Sequence, residues 1–268
     1  MEHTSRVAEA YGKAAAEDRA ALVGYLPAGF PTRAGGIAAL TAMVAAGVDV
    51  VEVGLPYSDP VLDGPTIQKA SDIALSGGTR IADVLATVEA VAATGAATVV
   101  MTYWNPVLRY GVERFARDLA AAGGSGLITP DLTPDFGAEW LAAADALGLD
   151  RVFLVAPSTS DERLALTVAS CRGFVYATSV MGVTGTRTTT SSAAPALVGR
   201  VRAATDLPVG VGLGVSTGAQ AAEVASYAHG VIVGSAFVRR LLDADDLAGG
   251  VAGCAELTAE LAAGVRAR

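Results

Sequence analysis

Histidine and cysteine are nearly missing from this 268-residue chain, which holds only His3, His229, Cys171 and Cys254. That scarcity excludes paired-cysteine metal spacing, a histidine cluster for a metal-dependent aldolase and a histidine-centred hydrolase triad. Two thiols fit buried structural cysteines better than a disulfide framework. Long apolar runs are missing too. Stretches such as 48–55 end in Gly, Pro or Asp, well short of the roughly 18 residues a membrane span needs. The first nineteen residues carry charges throughout and no apolar segment of the secretory type, so a cytoplasmic location is expected. Basic residues are outnumbered, 19 against 27 acidic, for a net charge of -8, and they are scattered. Nucleic acid is therefore not an expected partner.

What the chain has in abundance is apolar surface: 52% hydrophobic residues against 17% charged, enough for a large core. Short β-branched runs alternate with Ala-rich stretches of helical spacing. Strands are predicted at 21–26, 48–54, 97–103, 126–129, 151–155, 173–177, 208–211 and 230–233. Helices are predicted at 34–46, 81–93, 111–122, 137–147, 161–170, 193–204, 217–227 and 248–263. Alternation of this kind needs right-handed crossovers between parallel strands, and uniformly apolar strands need both faces covered. Eight units fit a closed (β/α)8 TIM barrel in a single domain, 1–268, with an extra N-terminal helix at 5–18 and an inserted helix after strand two at 66–75. An open doubly wound sheet would carry a Gly-rich fingerprint after its first strand, where this chain reads Leu26-Pro27-Ala28-Gly29-Phe30-Pro31.

In such a barrel the chemistry lies at the C-terminal ends of the strands. After strand seven comes Gly210-Val211-Gly212-Leu213-Gly214-Val215-Ser216, and after strand eight Gly234-Ser235-Ala236-Phe237. Glycines there let backbone N–H groups approach an anion, and a short helix starting near Ser235 would aim its positive end at the same spot. Gly182-Val183-Thr184-Gly185 after strand six is placed to close over the ligand. Either loop alone could be no more than a tight turn; two at the usual phosphate seat of the fold favour a phosphate.

The second cluster is acidic. Glu52 interrupts the apolar strand Val50-Val51-Glu52-Val53-Gly54, so it finds a partner, raises its pKa or faces outward to a helix. Facing inward, it would be a general acid/base held neutral by apolar walls. The turn-rich loop Ser58-Asp59-Pro60-Val61-Leu62-Asp63-Gly64-Pro65 stands above it, where Asp63 could meet Glu52 and Asp59 fits a turn former. The only lysines are Lys13, ahead of the barrel, and Lys69, on the inserted helix, so no Schiff-base lysine stands at a strand end. His229, ahead of strand eight at the bottom, fits a structural role. Carboxylate chemistry on a phosphorylated substrate remains.

The segment 51–68, VEVGLPYSDPVLDGPTIQ, closely resembles the signature of the tryptophan synthase alpha subunit family. The resemblance continues through Gly29-Phe30-Pro31, Met101-Thr102-Tyr103-Trp104-Asn105-Pro106, Tyr176, 182–185, 212–214 and Gly234-Ser235. It implies a lyase that cleaves indole-3-glycerol phosphate to indole and glyceraldehyde 3-phosphate. It implies that Glu52 shuttles protons, Asp63 stabilises the indole N–H, Tyr176 lines the pocket with Thr184, and backbone amides of Gly185, Gly214, Gly234 and Ser235 hold phosphate. It implies a beta subunit as partner, with loops 57–62 and 180–189 ordering over substrate and Asp59, Asn105, Asp131 and Thr133 as partner contacts. Pyridoxal phosphate belongs to the beta chain in the family, so no cofactor and no metal are expected here. Tyr25, Met101 and Phe153 are candidates for a flat indole slot, though core packing is the default role of such side chains.

Departures from the family pattern bear on coupling more than on catalysis. Asp131-Leu132-Thr133-Pro134-Asp135 has Thr133 where the family has proline, which loosens a loop used for docking. Tyr25 and Tyr57 stand where phenylalanine is common. Alternatives are a stand-alone lyase releasing free indole, a non-catalytic activating subunit, against which Glu52 and Asp63 argue, and on fold grounds a phosphosugar isomerase, which would not need the lid 59–64.

Overall fold

The computed structural model describes residues 5–178, 193–212 and 214–267. Eight parallel strands close into a barrel in sequence order: β1 Ala21–Pro27, β2 Val50–Gly54, β3 Ala97–Met101, β4 Gly126–Thr129, β5 Asp150–Val155, β6 Val175–Thr178, β7 Val209–Gly212 and β8 Gly230–Val233. Closure runs through β1 and β8, where Val23 pairs with Ile232 and Gly24 with Val233.

Alternation along each strand sorts the core into two layers. Ala21, Val23, Val50, Ala97, Val99, Ile128, Val152, Phe174 and Ile232 fill the barrel interior. The residues between them, among them Leu22, Val51, Val53, Val100, Leu127 and Phe153, pack outward against the helices. Each fully buried side chain of this size contributes roughly 1.5–3 kcal/mol, so both layers are needed to hold the shell on the barrel.

The helices start and stop where the sequence supplies caps. They are α1 Arg6–Ala16, α2 Arg33–Ala46, α3 Pro65–Ser76, α4 Ile81–Ala92, α5 Trp104–Tyr110, α6 Val112–Ala121, α7 Ala138–Leu147, α8 Asp161–Ser170, α9 Ala193–Ala204, α10 Gly218–Ala225, α11 Ser235–Leu242 and α12 Leu247–Gly264. Thr32, Ser160, Thr217 and Asp246 accept a backbone N–H at the starts of α2, α8, α10 and α12. Gly148 ends α7 in the left-handed conformation, φ 68°. No described helix is long and apolar enough to cross a membrane.

Several expected ends shift by one or two residues, and two of the shifts have a visible cause. Strand β3 stops at Met101 rather than 103, because Thr102 and Tyr103 lead into α5, a helix the periodicity did not announce. Its seven residues include Pro106 and are too few for an apolar repeat. Strand β2 begins at Val50, because Asp49 is engaged by Arg19 at 2.6 and 2.8 Å and also accepts the Leu22 N–H.

Helix α1 covers the bottom. Its Val7, Tyr11 and Ala14 belong to the interior cluster, and its N-cap Ser5 donates to Asp150 Oδ2 at 2.7 Å. Asp150 is fully buried, and burial pushes its carboxyl up to about 6, opposed by the Ser5 hydrogen bond and by Arg172.

Candidate active site

Glu52 faces the interior, sharing the orientation of Val50 two residues before it and pairing in register with Tyr25 and Val99. It is 1% exposed, and its Oε1 has no hydrogen-bond partner among the described residues. Burial in these apolar walls pushes its carboxyl up to about 8. Of the three sequence possibilities for Glu52, the structure therefore has the second: an inward acid with a raised pKa. Such a group is neutral near pH 7 yet close enough to its titration point to release a proton and take one back.

Asp63 lies in the β2–α3 loop, whose end is fixed by Pro65 at the first turn of α3 and by Gln68 Nε2 donating to the Asp63 carbonyl at 2.7 Å. Its Oδ1 accepts the Tyr103 hydroxyl at 3.1 Å, and the same hydroxyl accepts the Leu62 N–H at 3.0 Å. Burial raises the Asp63 pKa, and the Tyr103 bond opposes the rise. The Tyr57 ring packs on Tyr103 at a centroid distance of 5.4 Å, and Asn105 Nδ2 donates to the Tyr57 hydroxyl at 3.2 Å. Tyr103 had no assigned role in the sequence. The available signal was its place two residues past a strand end on the C-terminal face.

Tyr25 and Tyr176 bring the two clusters together. A Cβ on Gly54 would collide with the Tyr25 hydroxyl, and one on Gly234 would lie 3.2 Å from its ring, so Tyr25 lies between the ends of β2 and β8. A Cβ on Gly212 would lie 2.5 Å from the Tyr176 hydroxyl. These glycines are needed for close approach of rings, a reason the sequence did not reveal. Burial lifts both phenols well above the usual range, and the charge of Glu52 adds to both. Met101 also packs against the interior cluster. Phe153 does not. It is 1% exposed in the outer core layer, and its neighbours Val152 and Leu154 are the inward residues of β5. The expected inward place of Phe153 is thus corrected by strand alternation, which turns Leu154 to the interior instead.

After β8, one strand removed from β2 on the same C-terminal face, α11 starts at Ser235 with N-cap Gly234 and no side-chain cap, leaving its first N–H groups for an anion. Gly214 has φ 73°, a conformation that glycine adopts without strain. Thr184 and Gly185 lie outside the described residues, as does all of 180–189.

Of the expected partner contacts, Asp59, Asn105, Asp131 and Thr133 are all exposed. Asp59 accepts the Ser58 hydroxyl at 2.6 Å. The Asp131 carboxylate accepts the Trp104 N–H at 2.9 and 3.1 Å, so it also caps α5. Beside Thr133, the 3-10 turn Pro134–Phe136 holds Phe136 84% exposed, and Val61 in the lid is 68% exposed. His229 accepts the Val209 N–H on Nδ1 at 3.0 Å, a structural link between the starts of β7 and β8. Both cysteines are buried free thiols. Lys13 and Lys69 are exposed on α1 and α3.

The family model for the tryptophan synthase alpha chain matches residues 11–266. The tryptophan synthase alpha chain of Salinispora tropica is 68% identical over 262 residues, covering 98% of each chain. A chain in the structure of Mycobacterium tuberculosis tryptophan synthase superposes with a TM-score of 0.93 at 59% identity, covering 98% of this chain and 99% of that one. The mutant tryptophan synthase alpha-subunit (E74A) from Pyrococcus furiosus matches with a TM-score of 0.83 at 31% identity, covering 91% of this chain and 98% of that one.

Proposed function

The chain belongs to the tryptophan synthase alpha chain family, and on that premise we infer that Glu52 and Asp63 carry out its reaction, the cleavage of indole-3-glycerol phosphate to indole and glyceraldehyde 3-phosphate. The observation that carries the assignment is Glu52: an inward carboxyl, 1% exposed, unpartnered at Oε1 and pushed up to about 8. Neutral Glu52 donates its proton to indole C3, turning the ring into an indoleninium that draws electrons. The carboxylate left behind takes the proton from the hydroxyl on the adjacent glycerol carbon. The oxygen electrons form the aldehyde carbonyl, the carbon–carbon bond breaks, and its pair restores the indole ring. Protons balance, and Glu52 ends protonated as it began.

Asp63, as a fixed anion, stabilises the cationic ring nitrogen. Tyr25, Tyr176, Met101 and Leu154 enclose the indole, and the N–H groups at Gly214, Gly234 and Ser235 seat the phosphate. Gly185 completes that seat and Thr184 lines the substrate pocket in this reading. The partner implied by the reading is a beta subunit that takes up the indole. The exposed Phe136, next to Asp131 and Thr133 on the C-terminal face, supports a docked chain, since aromatic side chains are enriched among interface anchors. Incubating the purified chain with indole-3-glycerol phosphate, with and without a beta subunit, tests both parts: indole release establishes the lyase, and stimulation by the beta subunit establishes the coupling. No indole under either condition would refute the reading.

A further inference from the structure

Tyr11 has no part in the scheme above, yet helix α1 delivers it into the barrel. It is 3% exposed, its ring stacks on Phe174 at 5.3 Å between centroids, and Phe174 lies 6.3 Å from the ring of Tyr176. Three rings thus connect the floor to the pocket. The hydroxyl end occupies a niche made by two glycines that pair in register, Gly210 of β7 and Gly230 of β8. A Cβ there would lie 2.7 and 2.5 Å from the Tyr11 oxygen. The barrel is shaped to admit this hydroxyl, but among the described residues the hydroxyl has no hydrogen-bond partner.

Phenylalanine would fill the same ring space without leaving a polar atom unpaired, so the oxygen itself needs an explanation. Glu52 Oε1 is likewise unpaired in the same interior. The charge of Glu52 acts on Tyr11, followed by those of Tyr176 and Asp49, after burial as the main cause of a pKa well above the usual tyrosine range. Tyr11 is therefore a neutral donor at working pH. The other titratable groups coupled to this space are Tyr25 from β1, Asp49 ahead of β2, whose charge is met by Arg19, Tyr176 from β6, and Asp63 and Tyr103 at the mouth. None is a cation. A carboxylate formed on Glu52 depends on neutral donors for its stabilisation.

We propose that Tyr11 is a positioning residue for Glu52: from the barrel floor its hydroxyl donates, directly or across one water, to the carboxylate that exists between the two proton transfers. The hydroxyl has no partner among the described residues, and it engages most strongly when the charge appears, because a carboxylate is a better acceptor than a neutral carboxyl. This inference rests on the proton-shuttle reading of Glu52.

The test is Tyr11→Phe, assayed for cleavage of indole-3-glycerol phosphate across pH. Removing a donor to the anion raises the Glu52 pKa, so the alkaline limb of kcat/KM moves up by about one pH unit and kcat falls about tenfold. KM stays within about twofold, and the thermal midpoint is unchanged or higher, which a purely structural role would not produce. Placing 3,5-difluorotyrosine at position 11 makes a stronger donor and moves the same limb down. Profiles matching the parent for both replacements, or a loss of kcat that only tracks lost stability, would overturn the proposal. Glu52→Gln separates the two claims: retained turnover refutes the shuttle, whereas abolished turnover with an unmoved Tyr11→Phe profile refutes only the role of Tyr11.

Discussion

Tyr103 donates its hydroxyl to Asp63 Oδ1 at 3.1 Å, tying the loop after β3 to the loop after β2 across the mouth of the barrel. Because the Tyr103 hydroxyl oxygen also accepts the Leu62 N–H, one side chain fixes both the carboxylate and the backbone beside it. Tyr103→Phe should lower kcat about tenfold, the equivalent of one charge-assisted hydrogen bond, with the fold retained. Since the bond opposes the rise in the Asp63 pKa, its loss should move that group further up and the acid limb of the pH profile with it. Steady-state kinetics against pH checks this, and parental values would remove Tyr103 from the site.

Glu52 also leaves a thermodynamic signature. Its folded-state pKa, about 8, stands above the ordinary value of 4.5, so the stability linked to its proton is fully present below about pH 4.5 and is lost as pH rises to about 8. Gln at this position does not titrate. The stability of Glu52→Gln relative to the parent should therefore grow across this window, by at most about 1.4 kcal/mol per pH unit, and flatten above it. Denaturant melts at several pH values measure the difference. A constant difference would mean that Glu52 is not held neutral.

Met101 and Phe153 should separate cleanly. Phe153→Ala opens a cavity in the outer layer and should cost about 3–5 kcal/mol of stability with little change in KM. Met101→Ala, on the inward face, should raise KM for the indole-bearing substrate. Melts and kinetics on the two variants check the assignment, and an effect of Phe153→Ala on KM without loss of stability would contradict it.

The misplacement of Phe153 marks where sequence pattern stops being informative. Strands buried on both faces read as continuous apolar runs, and after Asp150 and Arg151 at its start β5 is Val-Phe-Leu-Val, with no polar residue at its C-terminal end to mark which side chains face inward. In β2 the one ionisable residue, Glu52, exposed the problem of burial but not its solution. Order and number of the strands were legible because Gly, Pro and Asp punctuate them. Helix α5 was not, since its start depends on the Asp131 carboxylate reaching the Trp104 N–H across 27 positions of sequence. The acids of the site were legible as chemistry within an apolar context. Tyr103 and Tyr11 were not, because a tyrosine becomes functional only through what its hydroxyl meets, and both meet partners or niches far away in the chain.

Phe136 should be an anchor for the partner. Phe136→Asp is expected to weaken binding of a beta subunit by about tenfold or more and to leave the unstimulated lyase rate unchanged, since the residue is 84% exposed and touches no part of the acid site. Titration of the beta subunit into the lyase assay gives the value. Equal stimulation of variant and parent would place the interface elsewhere.

The measurement closest to the central claim is the turnover of indole-3-glycerol phosphate by Glu52→Gln, with substrate binding followed in parallel. Glutamine keeps the shape of the side chain and removes its transferable proton. The account requires turnover to fall by about a thousandfold or more while the substrate still binds within a few-fold of the parent. Indole release near the parental rate would contradict it.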